Sequence, residues 1–375
     1  MKIEIFSEAY DEKYRLQLNC KQFGSQMLLM SSHASFLFEK DGGETEFCLL
    51  SSFEWKIEGA EDYHWLSFSC FKGQDGAYEI ALKTTPNPIS DRARFANCCI
   101  CAGGYRIPLI ITQAADDRAV MLRLRDSLMT IKENHDAVQN YLGWTGKNVE
   151  NWHRVSLPWG VDHTKTVIGL DLGQAKLSGP FPKEMLHLVH LTSLHLCGNH
   201  FYGRLPSEIG HMTQMRYLYL DRNQFTGNIP KELGYLSQLY YLSIGHAQFT
   251  GAIPKEIGYL SQLEVLHLNH NQLSGSIPAE LGALSQLTSL DLSNNQLSGS
   301  IPKRFAALKK MKIFQVSENH LSGRIPSSVI RSMGALGEPW PQFPAAYRHL
   351  PYAINPQYSP ADKEKAGETT NALNW

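Results

Sequence analysis

Long apolar runs are missing from this chain of 375 residues. Its apolar clusters are short pieces such as Met27–Met30 and Ile107–Ile111, far below the roughly 18 residues a membrane-spanning helix takes. A surplus of either charge is missing as well, because 35 basic and 36 acidic residues leave a formal charge of −1. Nucleic acid is therefore not expected as a partner, since neutralising phosphates needs a basic field. The marks of common enzymes are absent too. No G-x-S-x-G, H-E-x-x-H, phosphate-binding loop or dinucleotide fingerprint occurs. With 43% hydrophobic and 19% charged residues the composition is that of a globular chain. The expectation is a protein without catalytic residues, cofactor or metal.

Cysteine offers no framework. The seven cysteines are odd in number, and Cys98-Cys99-Ile100-Cys101 has no second cluster at metal-ligand spacing. Packing as small apolar residues is the expected role. The first thirty residues carry Glu4, Glu8, Asp11, Glu12, Lys13, Arg15 and Lys21 with no apolar core among them, so they do not read as a secretory leader. Either the protein is intracellular or the true start lies upstream of this one.

A repeat is what the chain does contain. The pattern L-x-x-L-x-L-x-x-N-x-L/F-x-G-x-I/L-P places Asn199, Asn223, Ala247, Asn271, Asn295 and Asn319 at a constant step of 24, with Ala175 one step earlier. Gly179 to Gly323 and Pro182 to Pro326 keep the same register. Leucines two apart, such as Leu194 and Leu196, put both side chains on one face of a short strand. Stacked coils would align those strands about 4.8 Å apart in a parallel sheet. Each asparagine is expected to be buried at the turn, pairing with backbone groups left open there. Ala175 and Ala247 lack that amide, and a local irregularity is expected at Ala247. No single coil can close its own core, so several must stack.

These seven frames resemble the leucine-rich repeat family, in its plant-type 24-residue subclass, over roughly residues 166–334. The resemblance implies a right-handed solenoid with the parallel sheet on its concave side. Before it, Met121, Leu124, Leu128 and Ile131 recur at helical spacing after Asp116 and Asp117, and Trp144, Trp152 and Trp159 follow. Residues 116–165 thus resemble the helical N-terminal cap of such proteins, without its usual cysteine pair. Residues 335–375 hold six of the eighteen prolines and several aromatics, and are expected to form a C-terminal cap and tail.

Residues 31–115 carry no such frame. They read as short strands at Phe53–Ile57, Trp65–Phe68 and Tyr78–Leu82, separated by turns at Asp41-Gly42-Gly43, Gly73-Gln74-Asp75-Gly76 and Pro86-Asn87-Pro88. An all-β, immunoglobulin-like sandwich is expected. Trp55, Trp65-Leu66-Ser67, Asn87, Arg92-Ala93-Arg94 and the closing Ile107–Gln113 resemble the BACON family of surface proteins of gut Bacteroidetes. That resemblance implies a spacer or a carbohydrate-binding accessory. Residues 1–30 stand before it as a leader segment.

The frame also sorts the concave positions, which lie six, four, two and one residues before each ladder position. Tyr217, Tyr219 and Tyr241 gather there beside Asp221 and Arg222, offering rigid apolar area with polar tips for a sugar or peptide, or simply covering the sheet. His246 and His270 are neighbours in one row. His195 and His267 belong to another, with Asp291 beside His267, a pairing expected to make binding pH-sensitive. These ten residues are the candidate ligand-binding face. The function expected is non-enzymatic recognition of a protein or glycan ligand by a monomer. The family resemblance implies the cell surface, while the missing leader leaves the cytoplasm open. An intracellular scaffold with purely structural domains is the alternative, and a sugar-processing enzyme would need two carboxylates facing across a cleft.

Overall fold

The computed structural model describes residues 34–51, 53–157, 166–323 and 325–329, and before them the backbone of four short strands at Ile3–Phe6, Arg15–Leu18, Lys21–Phe23 and Gln26–Leu28. The expected C-terminal cap at 335–375, and Trp159, lie outside the described residues.

The N-terminal region is β-rich. Two five-stranded sheets form, one built on Gly43–Ser51 and Gly76–Thr84, the other on Arg94–Ala102 and Tyr105–Gln113. Alternation decides what lies between them. Phe47, Leu49, Trp55, Ile57, Ile80, Leu82, Ile100, Ile107 and Leu109 are buried in one cluster. Residues 1–30, expected as a separate leader, contribute two strands here. Ile3–Phe6 pairs with Arg15–Leu18 on one side and Gly43–Ser51 on the other, covering backbone groups that an open sheet edge would leave unpaired. The five described cysteines are free thiols, and burial pushes Cys98 up to about 12.

From Gly169 onward the chain winds in coils of 24 residues, numbered here 1 to 7 by the ladder positions 175 to 319. Each coil gives a three-residue strand to one parallel sheet, in unbroken register from Gly169 through Ser193, Tyr217, Tyr241, Val265 and Ser289 to Ile313. The leucines of those strands are fully buried, and Phe201, Phe225 and Phe249 stack behind them at 6.4 and 6.2 Å between ring centres. Prolines such as Pro206 and Pro230 open short 3₁₀ helices on the convex side, at Ser207–His211 and Lys231–Tyr235. Proline suits that first position because its fixed φ is pre-set and its missing N–H would have no partner there.

The asparagines bind the coils together. In coil 3 the Asn223 amide donates to the Leu196 carbonyl of the preceding coil at 2.9 Å and to Leu220 at 3.0 Å, while its Oδ1 accepts from the Phe201 N–H at 3.0 Å. Asn199, Asn271, Asn295 and Asn319 repeat this pattern. At Ala247 no such amide exists, so the Phe225 N–H receives no amide oxygen and the Leu220 carbonyl keeps only the Asn223 bond of its own coil. The expected irregularity nevertheless does not occur. Tyr241, Leu242 and Ser243 stay in register with coil 5, and the turn bond from His246 N–H to the Asn269 carbonyl persists at 2.9 Å. Strand and turn bonds hold the backbone where one side chain is missing.

The first coil is covered by the helix Asp117–Met129, whose first open N–H groups include that of Arg118, bonded to Asp116 Oδ1 at 3.0 Å. Val120, Met121, Leu124 and Leu128 face the solenoid core, and Ile131 lies beyond the helix end. Buried Asn134 then ties to both the N–H and the carbonyl of Ser178. Trp144 and Trp152 stack at 5.1 Å, and Val155–Ser156 pairs antiparallel with Gly169–Asp171 to close the sheet edge.

The β-rich region docks on the convex side of the first coils. Along Arg94–Ala102, Phe95 and Asn97 meet the solenoid, and Phe95 lies between His187 (5.7 Å) and His211 (4.4 Å), nearly parallel to both. His211 Nε2 donates to Asn97 Oδ1 at 3.0 Å. His190 bonds Glu39 at 3.3 Å and lies 4.0 Å from buried Asp117. The Nδ1 atoms of His187, His190 and His211 are buried without a hydrogen-bond partner.

Two measurements test this architecture. Ala247→Asn is expected to supply the missing amide and stabilise the chain by about 1 kcal/mol, seen as a rise of about 2 °C in Tm; an unchanged or lower Tm contradicts the ladder account. The second concerns acid. Burial pushes His211 down from 6.5 to about 4, with Glu208 opposing weakly. A depressed histidine favours its neutral form in the fold, so the stability it contributes is complete above about pH 6.5 and is lost as pH falls towards 4. Burial depresses His187 in the same sense. Two groups oppose them. Burial raises Asp117 to about 6, and at His190 the Glu39 bond with the Asp117 and Glu39 charges outweighs burial and raises its pKa. The readable quantity is therefore a difference. Between pH 6.5 and 4 the wild type should lose about 3 kcal/mol more than His211→Phe in urea unfolding, and parallel losses would show that this imidazole does not sense acid.

Candidate recognition surface

Two constraints create the concave face. Alternation turns leucines such as Leu218 and Leu220 into the core and their neighbours outward. The constant step then places equivalent outward residues side by side. In the row six before the ladder, Tyr217 and Ile313 are exposed, Tyr241 and Val265 half-buried. In the row four before, His195, Tyr219, His267 and Asp291 are half-buried. Asp221 lies in the next row, with Cys197 and Asn269, and is half-buried too.

Four of the expected residues form a continuous lane. His195 and Tyr219 lie 4.2 Å apart between ring centres, Tyr219 and Tyr241 stack at 4.5 Å and 30°, and Tyr241 meets His267 edge-on at 5.9 Å. The contact crosses two rows because a ring reaches diagonally to the neighbouring strand. Tyr217 is placed differently. Its ring stacks on Tyr240 at 6.4 Å, on the margin of the lane. Tyr240, half-buried seven before Ala247, was not among the expected residues; Arg216 and Glu264 hold the same position in adjoining coils and are exposed.

The expected pairing of His267 with Asp291 takes another form. They are register partners across the strands, but His267 Nε2 is hydrogen-bonded to Ser289 Oγ at 2.9 Å. Asp291 Oδ1 instead accepts from the N–H and hydroxyl of Ser293 at 2.9 and 2.6 Å. A carboxylate two residues before a turn N–H finds a local partner more readily than one across a strand. Arg222, His246 and His270 occupy the turn row beside the sheet. All three have φ between 50 and 55°, the left-handed turn that each coil repeats. His246 and His270 stack at 4.2 Å and 16°.

Burial holds the lane neutral at neutral pH. It lowers His195 against the charges of Asp171 and Asp221, and lowers His267 against Asp291 and Asp221. His246 is lowered by burial and then by His270 and Arg222. Burial raises the Tyr219 and Tyr241 phenols. Among the described residues no group of three His, Cys, Asp or Glu side chains could hold a metal ion. The surface thus presents flat rings with polar tips.

A cavity of about 590 Å³ opens elsewhere, in the β-rich region, between Trp55, Lys56, Glu58, Lys72, Cys101 and Arg106. Glu58 there accepts from Lys56 at 2.5 Å and Arg106 at 2.7 Å, so its carboxylate is already paired.

Stacking on the lane is measurable without a ligand. A double-mutant cycle of Tyr219→Ala and Tyr241→Ala is expected to give a coupling energy of about 1 kcal/mol in chemical unfolding. A coupling near zero would mean that the two rings do not rest on each other in solution.

Residues 190–212 and 214–236 match a family model described as Leucine Rich Repeat, and the overlapping segments 237–297 and 261–321 match a second, described as Leucine rich repeat. No curated protein matches the chain significantly. Among solved structures, the ectodomain of the Arabidopsis receptor kinase HAESA with an N-terminally extended IDA peptide hormone is 30% identical, with a TM-score of 0.51, and the match covers 58% of this chain and 35% of that one. HAESA with the IDA hormone and a co-receptor gives 31% identity and a TM-score of 0.51, over 58% of this chain and 36% of that one. The ectodomain of the Arabidopsis thaliana receptor kinase GASSHO1/SCHENGEN3 is 36% identical over 44% of this chain and 20% of that one, with a TM-score of 0.43. The chain therefore spans about a third of the HAESA ectodomains. Its 24-residue coils are leucine-rich repeats.

Proposed function

We propose that this chain is a non-enzymatic recognition protein whose concave sheet binds a protein ligand across the lane His195–Tyr219–Tyr241–His267. The observation that carries the reading is that lane itself. Four rings touch across four adjacent strands on a face that contributes nothing to the leucine core. Rigid aromatic area with polar tips is what binding hot spots are made of. The HAESA ectodomain structures contain a peptide hormone, which favours a polypeptide ligand over a glycan.

The remaining parts fit around this role. The β-rich region serves as a BACON-like spacer or carbohydrate-binding accessory, the helix Asp117–Met129 and the tryptophan loop as the solenoid's N-terminal cap, and the protein acts as a monomer at the cell surface. Docking on the convex side supports the spacer reading, because it leaves the concave face clear. The test uses the full chain, panned against a display library of linear peptides and, in parallel, a glycan array. Tyr219→Ala/Tyr241→Ala should weaken capture of the selected peptides by about tenfold or more. Equal capture by both proteins would show that the lane only covers the sheet, and selective capture of glycans alone would replace the polypeptide with a sugar.

A further inference from the structure

We infer that the ligand segment is basic, and that its arginine or lysine side chains seat between the aromatic lane and the carboxylates of Asp221 and Asp291. The inference rests on the concave-face reading and narrows the chemistry of the partner.

Charge on this face is segregated. In the three inner rows, six, four and two before the ladder, the only full charges are Asp171, Asp221 and Asp291. Lysine and arginine stand at the margins: Arg216 and Lys312 where strands begin, Arg222 in the turn row. The inner histidines do not offset the carboxylates at neutral pH, since burial depresses both His195 and His267. Asp221 is the least satisfied of the three. Asp171 accepts from Gly173 N–H and lies 3.6 Å from Arg154, and Asp291 is held by Ser293. Among the described residues the half-buried Asp221 carboxylate has no hydrogen bond and no ion pair, not even with Arg222 beside it in the chain. An unpaired carboxylate partly out of water loses solvation that a bound cation would return.

The fold already shows what such a surface holds. At the edge of the same sheet the guanidinium of Arg154 lies over the Tyr141 ring at 4.6 Å, donates to the Gly173 carbonyl at 2.8 Å and faces Asp171. Ring, carboxylate and glycine in one place hold an arginine from the chain itself. In coils 3 and 4 two of these elements recur as Tyr241 and Asp221, close enough that the Asp221 charge adds to burial in raising the Tyr241 phenol. Cation–π contact and a carboxylate together favour a guanidinium or ammonium over a neutral group.

The experiment measures fluorescence anisotropy of the full chain with three labelled peptides alike in length and tyrosine content, one rich in arginine, one in glutamate and one in neutral serine. The arginine peptide should bind about tenfold tighter than the glutamate peptide, and its affinity should fall as salt rises. Asp221→Asn/Asp291→Asn should remove most of that preference, and Asp221→Lys/Asp291→Lys should reverse it, with Tm recorded to confirm folding. Equal affinities, or tighter glutamate binding, overturn the basic partner while leaving the concave reading intact, provided Tyr219→Ala/Tyr241→Ala still weakens binding. Insensitivity of all three peptides to the tyrosine substitutions overturns both.

Discussion

Each coil of this solenoid rests on the next through two short strands, three residues long in one sheet and up to five in the other. Beyond the strand ends, turn N–H groups donate to carbonyls of the next coil, and in five of the seven coils an asparagine adds side-chain bonds. Its amide donates back to the carbonyl of the preceding coil, and its oxygen accepts an N–H that the turn has left open. One side chain, that of Asn223, thus satisfies the Phe201 N–H and the Leu220 carbonyl, and shares the Leu196 carbonyl with Asn199. Because the same geometry recurs at each step, every coil is laid on its neighbour with the same offset. Burial of the leucines supplies the driving force, backbone bonds hold the register, and the amides reinforce it.

Fixed offset turns sequence variation into surface geometry. A residue at a given frame position faces its counterpart one strand away, so two tyrosines in adjoining coils meet whether or not anything else in the chain specifies their contact. The lane arises this way from Tyr219 in one row and Tyr241 in the next. The convex side follows the same logic with another result. His187 and His211, one step apart, present two parallel imidazoles between which Phe95 fits. Their neighbours in that row are Tyr235 and Tyr259, both half-buried. One face of the solenoid thus joins the β-rich region, and the sheet face carries the aromatic lane.

The legible part of this structure was the part that repeats. Asn199 to Asn319 fixed the coil length, and the row positions followed by counting, so His195, Tyr219, Tyr241 and the His246–His270 pair could be placed together. Errors came where a side chain chose among several partners within reach. His267 took Ser289 and left Asp291 to Ser293, a choice made by local geometry that spacing does not contain. Tyr217 turned to Tyr240 because the position seven before the ladder is also open to the surface. The docking of Phe95 and Asn97 on coils 1 and 2 left no trace in the sequence, since residues 114 positions apart meet there by shape alone.

Coil 4 brings these threads together. It contributes Tyr241 to the lane and His246 to the stacked pair, and it is the internal coil whose ladder position is alanine. Its backbone keeps the common register, so the missing amide does not alter shape. It does alter resistance to local opening, which falls as the number of buried bonds across an interface falls. A wall of identical coils would be stiffest everywhere alike. Here a seam without a ladder amide lies behind Tyr219 and Tyr241, so a small separation of coils 3 and 4 would change the spacing of those two rings.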